Sequence, residues 1–191
     1  FARRGLGVIR MGDEAILEAS RFSLNNTSLT EVRHAHQRVR KAGYTLKICR
    51  HRELSPEQLH EVENNVDAWR HGKVERGFSM ALNRLSDPAD DRNLLVSAHD
   101  SAGTMVALLS FVPWGRTGIS LDVMRRSPDS PNGIVEYMVA QLMEDAPDYG
   151  ITRVSLNFAM FRHVYENADQ FGANAWSRFA SRSLGVLDRF L

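Results

Sequence analysis

The residues best suited to chemistry lie between Ile119 and Asn157. In the run Ile119-Ser-Leu-Asp-Val-Met-Arg-Arg126, Asp122 stands inside an apolar, alternating strand. A carboxylate there either points to water or lies in a cleft beside a cation, and an internal Asp–Arg ion pair is the plain structural alternative. Arg125 follows three residues later, at the strand end, where the chain turns toward a helix. That end of a strand is a usual ligand position in α/β proteins. Ser127-Pro-Asp-Ser-Pro-Asn132-Gly133 leads into the helix. Its N-terminal N–H groups and dipole suit a phosphate, although capping by Ser130, with Pro131 in the first helical position, is the simpler expectation. Glu136 falls in the first turn, where it either complements the dipole or faces a substrate amine. On the following strand Ser155 and Asn157 alternate with Val154, Leu156 and Phe158. One face is thus polar; it lines a cavity if the strand is central and meets water if the strand is an edge.

A second feature is charge. Val32 to Arg52 contains Arg33, Arg38, Arg40, Lys41, Lys47, Arg50 and Arg52, with His34, His36 and His51, and no Asp or Glu. The whole chain of 191 residues carries 24 Lys and Arg against 23 Asp and Glu, a net charge of +1, so the asymmetry is local. Such a stretch either grips the phosphates of an RNA acceptor arm or of anionic lipid headgroups, or is a solvated helix face. His34-x-His36 has no third ligand nearby, so no metal site is expected. Cys49, the single cysteine, excludes an internal disulfide and reads as a plain buried thiol despite its basic neighbours. Neither a nucleophile elbow nor a Walker loop occurs. Trp69, Trp114 and Trp176 read as core or cleft lining.

Elements must position these groups. With 43% hydrophobic and 25% charged residues the composition is that of a globular chain. It excludes a disordered tail or a strongly cationic packing protein. No apolar run approaches the roughly 18 residues that span a membrane. The chain opens Phe-Ala-Arg-Arg, without a signal peptide or a starting Met, and is read as a piece of something longer. Leu6–Arg10 reads as a strand and Asp13–Ala19 as a turn of helix. Thr27 or Ser28 to Ala42 reads as a helix capped by Thr27 and stopped by Gly43. Tyr44–Cys49 alternates as a strand. Ser55-Pro56-Glu57-Gln58 is a capping box opening a helix that Gly72 ends. Phe78–Leu82, Leu94–Ala98, Thr104–Val112 and Gly118–Met124 read as strands, with a hairpin turn at Asp100–Gly103. A helix from Ser130 to about Ala146, a strand over Ile151–Phe158 and a final helical region from Phe161 complete the chain. A meander followed by strand–helix–strand predicts a mixed α/β (α+β) fold, in the order of the GNAT acyltransferases.

At this point the sequence resembles a known family. Glu75-Arg-Gly77-Phe78-Ser79, Phe111-Val-Pro113, Leu121-Asp122-Val-Met124-Arg125-Arg126, Pro131-Asn-Gly133 and Ser155-Leu-Asn157-Phe-Ala-Met160 look like the C-terminal synthase domain of lysyl-phosphatidylglycerol synthases. Gly12-Asp-Glu14-Ala15 and Gly43-Tyr44 match its earlier part, and the string at 155–162 is most similar to the actinobacterial form fused to a lysyl-tRNA synthetase. The resemblance implies two tandem GNAT-like units, with residues 1–53 the end of the first and 54–191 most of the second, truncated before a further strand. It implies transfer of lysine from lysyl-tRNA to phosphatidylglycerol of the inner membrane leaflet, which masks lipid charge and confers resistance to cationic antimicrobial peptides. It also implies transmembrane helices elsewhere in the longer protein, work at the cytoplasmic face of the membrane, and no cofactor beyond the aminoacyl-tRNA co-substrate.

On that reading Asp122, Arg125 and Glu136 are the catalytic centre. Ser79, Asn132, Gly133, Ser155 and Asn157 bind substrate, and Arg33, Arg38, Arg40, Lys41, Arg50 and Arg52 meet the tRNA or the lipid headgroup. Two alternatives stand beside it. One is a CoA-dependent N-acyltransferase of the same fold. It lacks support because neither register from Arg125 (Pro128, Ser130) nor from Arg126 (Asp129, Pro131) supplies the Gly-x-Gly/Ala loop that cradles pyrophosphate. The other is a non-catalytic domain that docks on tRNA or membrane.

Overall fold

Leu94-Leu-Val-Ser-Ala98 has no large polar side chain. In the computed structural model, which describes residues 12–69, 85 and 87–160, it is buried on both faces. It forms most of β3 (Leu94–His99), an inner strand of a six-stranded sheet. The other strands are β1 (Gly12–Glu18), β2 (Thr45–Arg50), β4 (Met105–Trp114), β5 (Gly118–Arg126) and β6 (Arg153–Met160), in the order β1-β6-β5-β4-β3-β2. Every neighbouring pair is antiparallel except β5–β6. That parallel pair needs a crossover, which α3 (Ile134–Asp145) supplies.

Alternation along the strands makes two apolar faces. Leu94, Val96, Ala107, Leu109, Phe111, Ile119 and Val154 form one core with Met138, Val139 and Leu142 of α3. α1 (Thr30–Lys41) packs outside α3, burying Val32, Ala35 and Val39. Leu95, Leu108, Val123 and Cys49 face the other way and meet Val62 and Val66 of α2 (Pro56–Ala68). The result is helix, sheet and helix in three layers, with the GNAT-like topology expected from the element order. Among the described residues no helix is long and apolar enough to cross a membrane.

Several local expectations hold. Ser55 Oγ accepts from the Gln58 N–H, Gln58 Oε1 accepts from the Ser55 N–H, and Pro56 opens α2. Gly43, at φ +87°, follows the end of α1. Three differ. Residues 13–18 are strand, not a helical turn: pairing of β1 along β6 overrides the local helix preference of Glu, Ala and Leu. The cap before α1 is Asn26, whose side chain accepts from the Ser28 N–H and opens a short 3-10 turn at Thr27–Leu29. α3 begins at Ile134 rather than at Ser130, because Ser130 Oγ is spent on the Ser127 carbonyl at 2.7 Å and Gly133, at φ +91°, is the residue that enters the helix. Leu6–Arg10, Gly72, Phe78–Leu82, Ser79, Trp176 and the region from Phe161 lie outside the described residues.

β1, α1 and β2 belong to the same sheet and layers as the rest. The division of the chain at residue 53 therefore rests on the resemblance.

Candidate active site

β5 and β6 pair only from Gly118–Ser120 against Arg153–Ser155. Beyond that point β5 continues to Arg126 and β6 to Met160 without a ladder between them, so the two strands open into a wedge. Two devices hold it. The β4–β5 register shifts between Ser110/Val123 and Phe111/Leu121, which leaves Asp122 as the extra residue of a β-bulge. Across the gap the Asn157 Nδ2 donates to the Leu121 carbonyl at 2.9 Å, a side chain standing in for a ladder bond. Asn157 itself has φ +70°, the left-handed region that Asn tolerates better than most residues.

A cavity of about 290 Å³ opens beside this wedge on the α3 side. Leu109, Leu121, Val139 and Leu156 give it apolar walls, and Arg125, Arg126, Asn132 and Glu136 bring polar groups to it. The turn before α3 forms one wall. It is fixed from α1, because Arg38 Nη2 donates to the Asn132 carbonyl at 3.0 Å. Gly133 also lines the cavity. A Cβ there would come within 2.9 Å of both Ala35 Cβ and Arg38 Nη2, so glycine lets α1 approach α3 as well as supplying the positive φ. The first turn of α3, whose Ile134 N–H is bonded to the Pro131 carbonyl at 3.2 Å, thus sits at the cavity with Glu136 and Arg125.

Asp122, Ser155 and Asn157 do not line this cavity. Ile119 and Leu121 face the α3 core and, past the bulge, Val123 faces the α2 layer, so alternation turns Ser120 to the other face and leaves half-buried Asp122 at the point where the pattern of faces breaks. Ser155 is fully buried, donates to Glu14 Oε1 at 2.6 Å and accepts the Asn157 N–H at 3.1 Å. The polar face of β6 therefore looks away from the cavity and toward β1, and Leu156 faces the cavity instead. Arg125, Asn132, Gly133 and Glu136 thus line the cavity, Glu14 and Ser155 meet outside it, and Asp122 stands at the bulge of β5. Glu14 and Arg126 were not singled out from sequence. Glu14 lies 141 residues from the serine it meets, and no local signal announces that pairing.

Residues 1–191 match a family model described as phosphatidylglycerol lysyltransferase, C-terminal. The chain belongs to that family. It is 53% identical over 188 residues to the lysylphosphatidylglycerol biosynthesis bifunctional protein LysX of Mycobacterium sp. (strain JLS), covering 93% of this chain and 17% of that protein. The LysX protein of Nocardia farcinica is 49% identical over 173 residues, covering 91% and 15%. The chain thus spans about a sixth of the length of these curated relatives. Among solved structures, L-PGS from Bacillus licheniformis superposes with a TM-score of 0.66 at 26% identity, over 78% of this chain and 46% of that one. The C-terminal domain of a protein described as a lysylphosphatidylglycerol synthetase, from Agrobacterium fabrum, gives 0.72 at 20% identity over 94% and 59%, a likeness of fold.

In this lysyltransferase-family domain the basic segment is not one surface. Arg33 Nη1 donates to the Leu24 carbonyl at 3.1 Å, Arg38 holds Asn132, and Arg50 Nη1 donates to the Arg92 carbonyl at 2.9 Å. These three serve the fold. Arg40 and Lys41 are exposed at the end of α1, whereas Arg50 and Arg52 lie at the far end of β2. Burial raises the Cys49 thiol above its ordinary pKa; Lys47 opposes that shift and Glu53 adds to it, so the thiol stays protonated. His36 is buried, within 3.1 Å of Gln141 Oε1 and in ring contact with Tyr137.

Proposed function

We propose that this domain carries out lysyl transfer from lysyl-tRNA to phosphatidylglycerol. The observation that carries the reading is the wedge, with a cation and a carboxylate in the cavity beside it and Asp122 at the bulge where β5 leaves β6. The aminoacyl ester is already activated, so the reaction needs alignment, a base and a site for the oxyanion. The glycerol hydroxyl of the lipid attacks the lysyl carbonyl. Its proton passes to Asp122 or Glu136, the carbonyl pair becomes an oxyanion near Arg125, and collapse expels the ribose oxygen, which takes the proton. One ester bond forms and one breaks. The remaining carboxylate, aided by Glu14, holds the lysine ammonium groups. Asn132 and Gly133 hold substrate at the α3 N-terminus, Ser155 and Asn157 shape the lysyl side of the wedge, and Ser79 is assigned to substrate by resemblance.

The relatives' description as bifunctional supports a second activity in the longer protein, which we assign to a lysyl-tRNA synthetase that charges the RNA. The membrane helices that the resemblance implies elsewhere in that protein would hold the domain at the cytoplasmic membrane face. The division at residue 53 belongs to the same proposal: β1, α1 and β2 come from the end of the first unit and complete the sheet of the second.

The test uses the full-length protein with radiolabelled lysyl-tRNA and phosphatidylglycerol vesicles. Labelled lipid is expected from wild type. Asp122→Asn is expected to lower turnover by roughly 10²–10⁴-fold, the range for loss of a positioned acid–base group, with an unchanged melting temperature. Wild-type rates from that variant remove Asp122 from the reaction. A thermal shift with acetyl-CoA and no labelled lipid would transfer the domain to CoA chemistry.

A further inference from the structure

At the end of the sheet opposite the wedge, a cavity of about 190 Å³ is lined by Arg50, Arg52, Arg92 and Arg116, and by no carboxylate. Only Arg50 and Arg52 belong to the basic segment. Arg92 comes from the turn before β3 and Arg116 from the β4–β5 turn, so four guanidiniums converge from three loops that the sheet brings together. Backbone ties fix the walls: His51 N–H to the Asn93 carbonyl at 3.0 Å, Arg52 N–H to the Asp91 carbonyl at 3.1 Å, and Thr152 N–H to the Thr117 carbonyl at 2.8 Å. Arg50 is held by the Arg92 carbonyl. Among the described residues Arg52, Arg92 and Arg116 make no salt bridge or side-chain hydrogen bond, and all three are exposed. Beside the cavity Arg153 stacks 5.0 Å over the Trp114 ring, and Tyr149 is 37% exposed.

Four guanidiniums with no carboxylate in the lining describe a site for an external polyanion, Glu53 beside them being engaged by the Arg50 backbone N–H at 3.0 Å, and guanidinium forks suit phosphate oxygens in particular. We infer that this arginine cavity binds the phosphodiester backbone of the RNA substrate, away from its aminoacyl end; the inference rests on the lysyl-tRNA reading above. Surface chemistry favours RNA over membrane. Gly118 and Arg125 are seven residues apart on β5, so the arginine end lies about 20 Å from the far end of the wedge cavity. An RNA strand is a continuous polyanion that covers both places at once. Tyr149 is the single exposed large apolar side chain beside the arginines among the described residues, and its hydroxyl donates to the Ile48 carbonyl at 3.2 Å. A membrane-seated face carries several apolar anchors. The exposed aromatic and the Arg153–Trp114 stack suit nucleotide bases instead.

The experiment is an anisotropy titration of the full-length protein with uncharged lysine tRNA over a range of salt, with phosphatidylglycerol vesicle binding and lysyl-transfer kinetics alongside. R52E/R116E is expected to weaken RNA binding at least 10-fold. It should flatten the slope of log affinity against log salt by about 2, roughly one per arginine, raise KM for lysyl-tRNA and leave kcat and vesicle binding near wild type. R21E, whose native arginine pairs with Glu18 at 3.2 Å, should change none of these. R52Q/R116Q should repeat the loss in milder form, which covers the case of a misfolded double reversal. A KM for lysyl-tRNA in lysyl transfer equal to wild type in both double variants overturns the inference, because the synthetase of the full-length protein can hold RNA by itself, as does loss of vesicle binding with that KM intact. The two readings fail separately: arginine-dependent RNA binding without lysyl transfer sinks only the activity, and transfer with an arginine-independent KM sinks only this site.

Discussion

A carboxylate in an apolar strand is ambiguous from its neighbours alone, and Asp122 shows what resolves it. Its position acquires meaning from one extra residue in β5, which bends the strand where β6 leaves it. Ser155 shows the reverse. Its alternation with Asn157 was legible, but Ser155 is taken up by Glu14 and Asn157 by a side-chain bridge to Leu121, not by the cavity. A different residue carries a solution prediction. His51 is buried and neither ring nitrogen has a hydrogen-bond partner among the described residues. Burial lowers its pKa below the ordinary value, against a smaller opposing pull from Asp90. Above the ordinary pKa, near 6.5, both states are neutral and nothing changes with pH. Below it the unfolded chain takes up a proton that the folded chain refuses, so stability falls as pH drops from about 6.5. Urea midpoints at pH 7.5 and 5.5 should show this fall, and His51→Phe should reduce it. Parallel behaviour of the two proteins would clear His51 of the effect.

Among the elements, helix starts divide cleanly by how local their causes are. The α2 start was legible because Ser55, Pro56 and Gln58 complete each other within four residues. Ser55→Ala should therefore cost about 1 kcal/mol, read as a lower urea midpoint with an unchanged m-value. The α3 start was misplaced because Ser130-Pro131 has the same local signature, yet its hydroxyl bonds the Ser127 carbonyl and the chain makes another turn. Gly133 sets the true start through φ +91° and through contact with α1. Gly133→Ala combines left-handed strain with a 2.9 Å approach to Ala35. It should cost about 2–3 kcal/mol and impair turnover together with stability, because the same turn walls the cavity. A Gly133→Ala protein with wild-type stability would show that α1 and α3 separate freely. The β1 segment went the other way: its residues favour helix, and only the presence of β6 makes it a strand.

On the scale of the molecule, the two inner strands β3 and β4 bind both helical layers into one unit. Phe111, fully buried in β4, should cost about 3–5 kcal/mol when truncated to Ala. At 2–4 °C per kcal/mol for a domain of this size, that is a fall in Tm of roughly 10 °C by calorimetry. Helix and strand types, the meander, the strand–helix–strand unit and the family were readable in the linear chain, because they depend on periodicity, capping and short ordered strings. The opening between β5 and β6, the partner of Ser155, the scattering of the basic segment and the gathering of Arg50, Arg52, Arg92 and Arg116 depend on which strands become neighbours. Those neighbours are settled by burial of two sheet faces at once, a long-range balance that no window of sequence contains. Sequence therefore determined what kinds of groups the protein owns, and the tertiary structure alone decided which of them share a cavity.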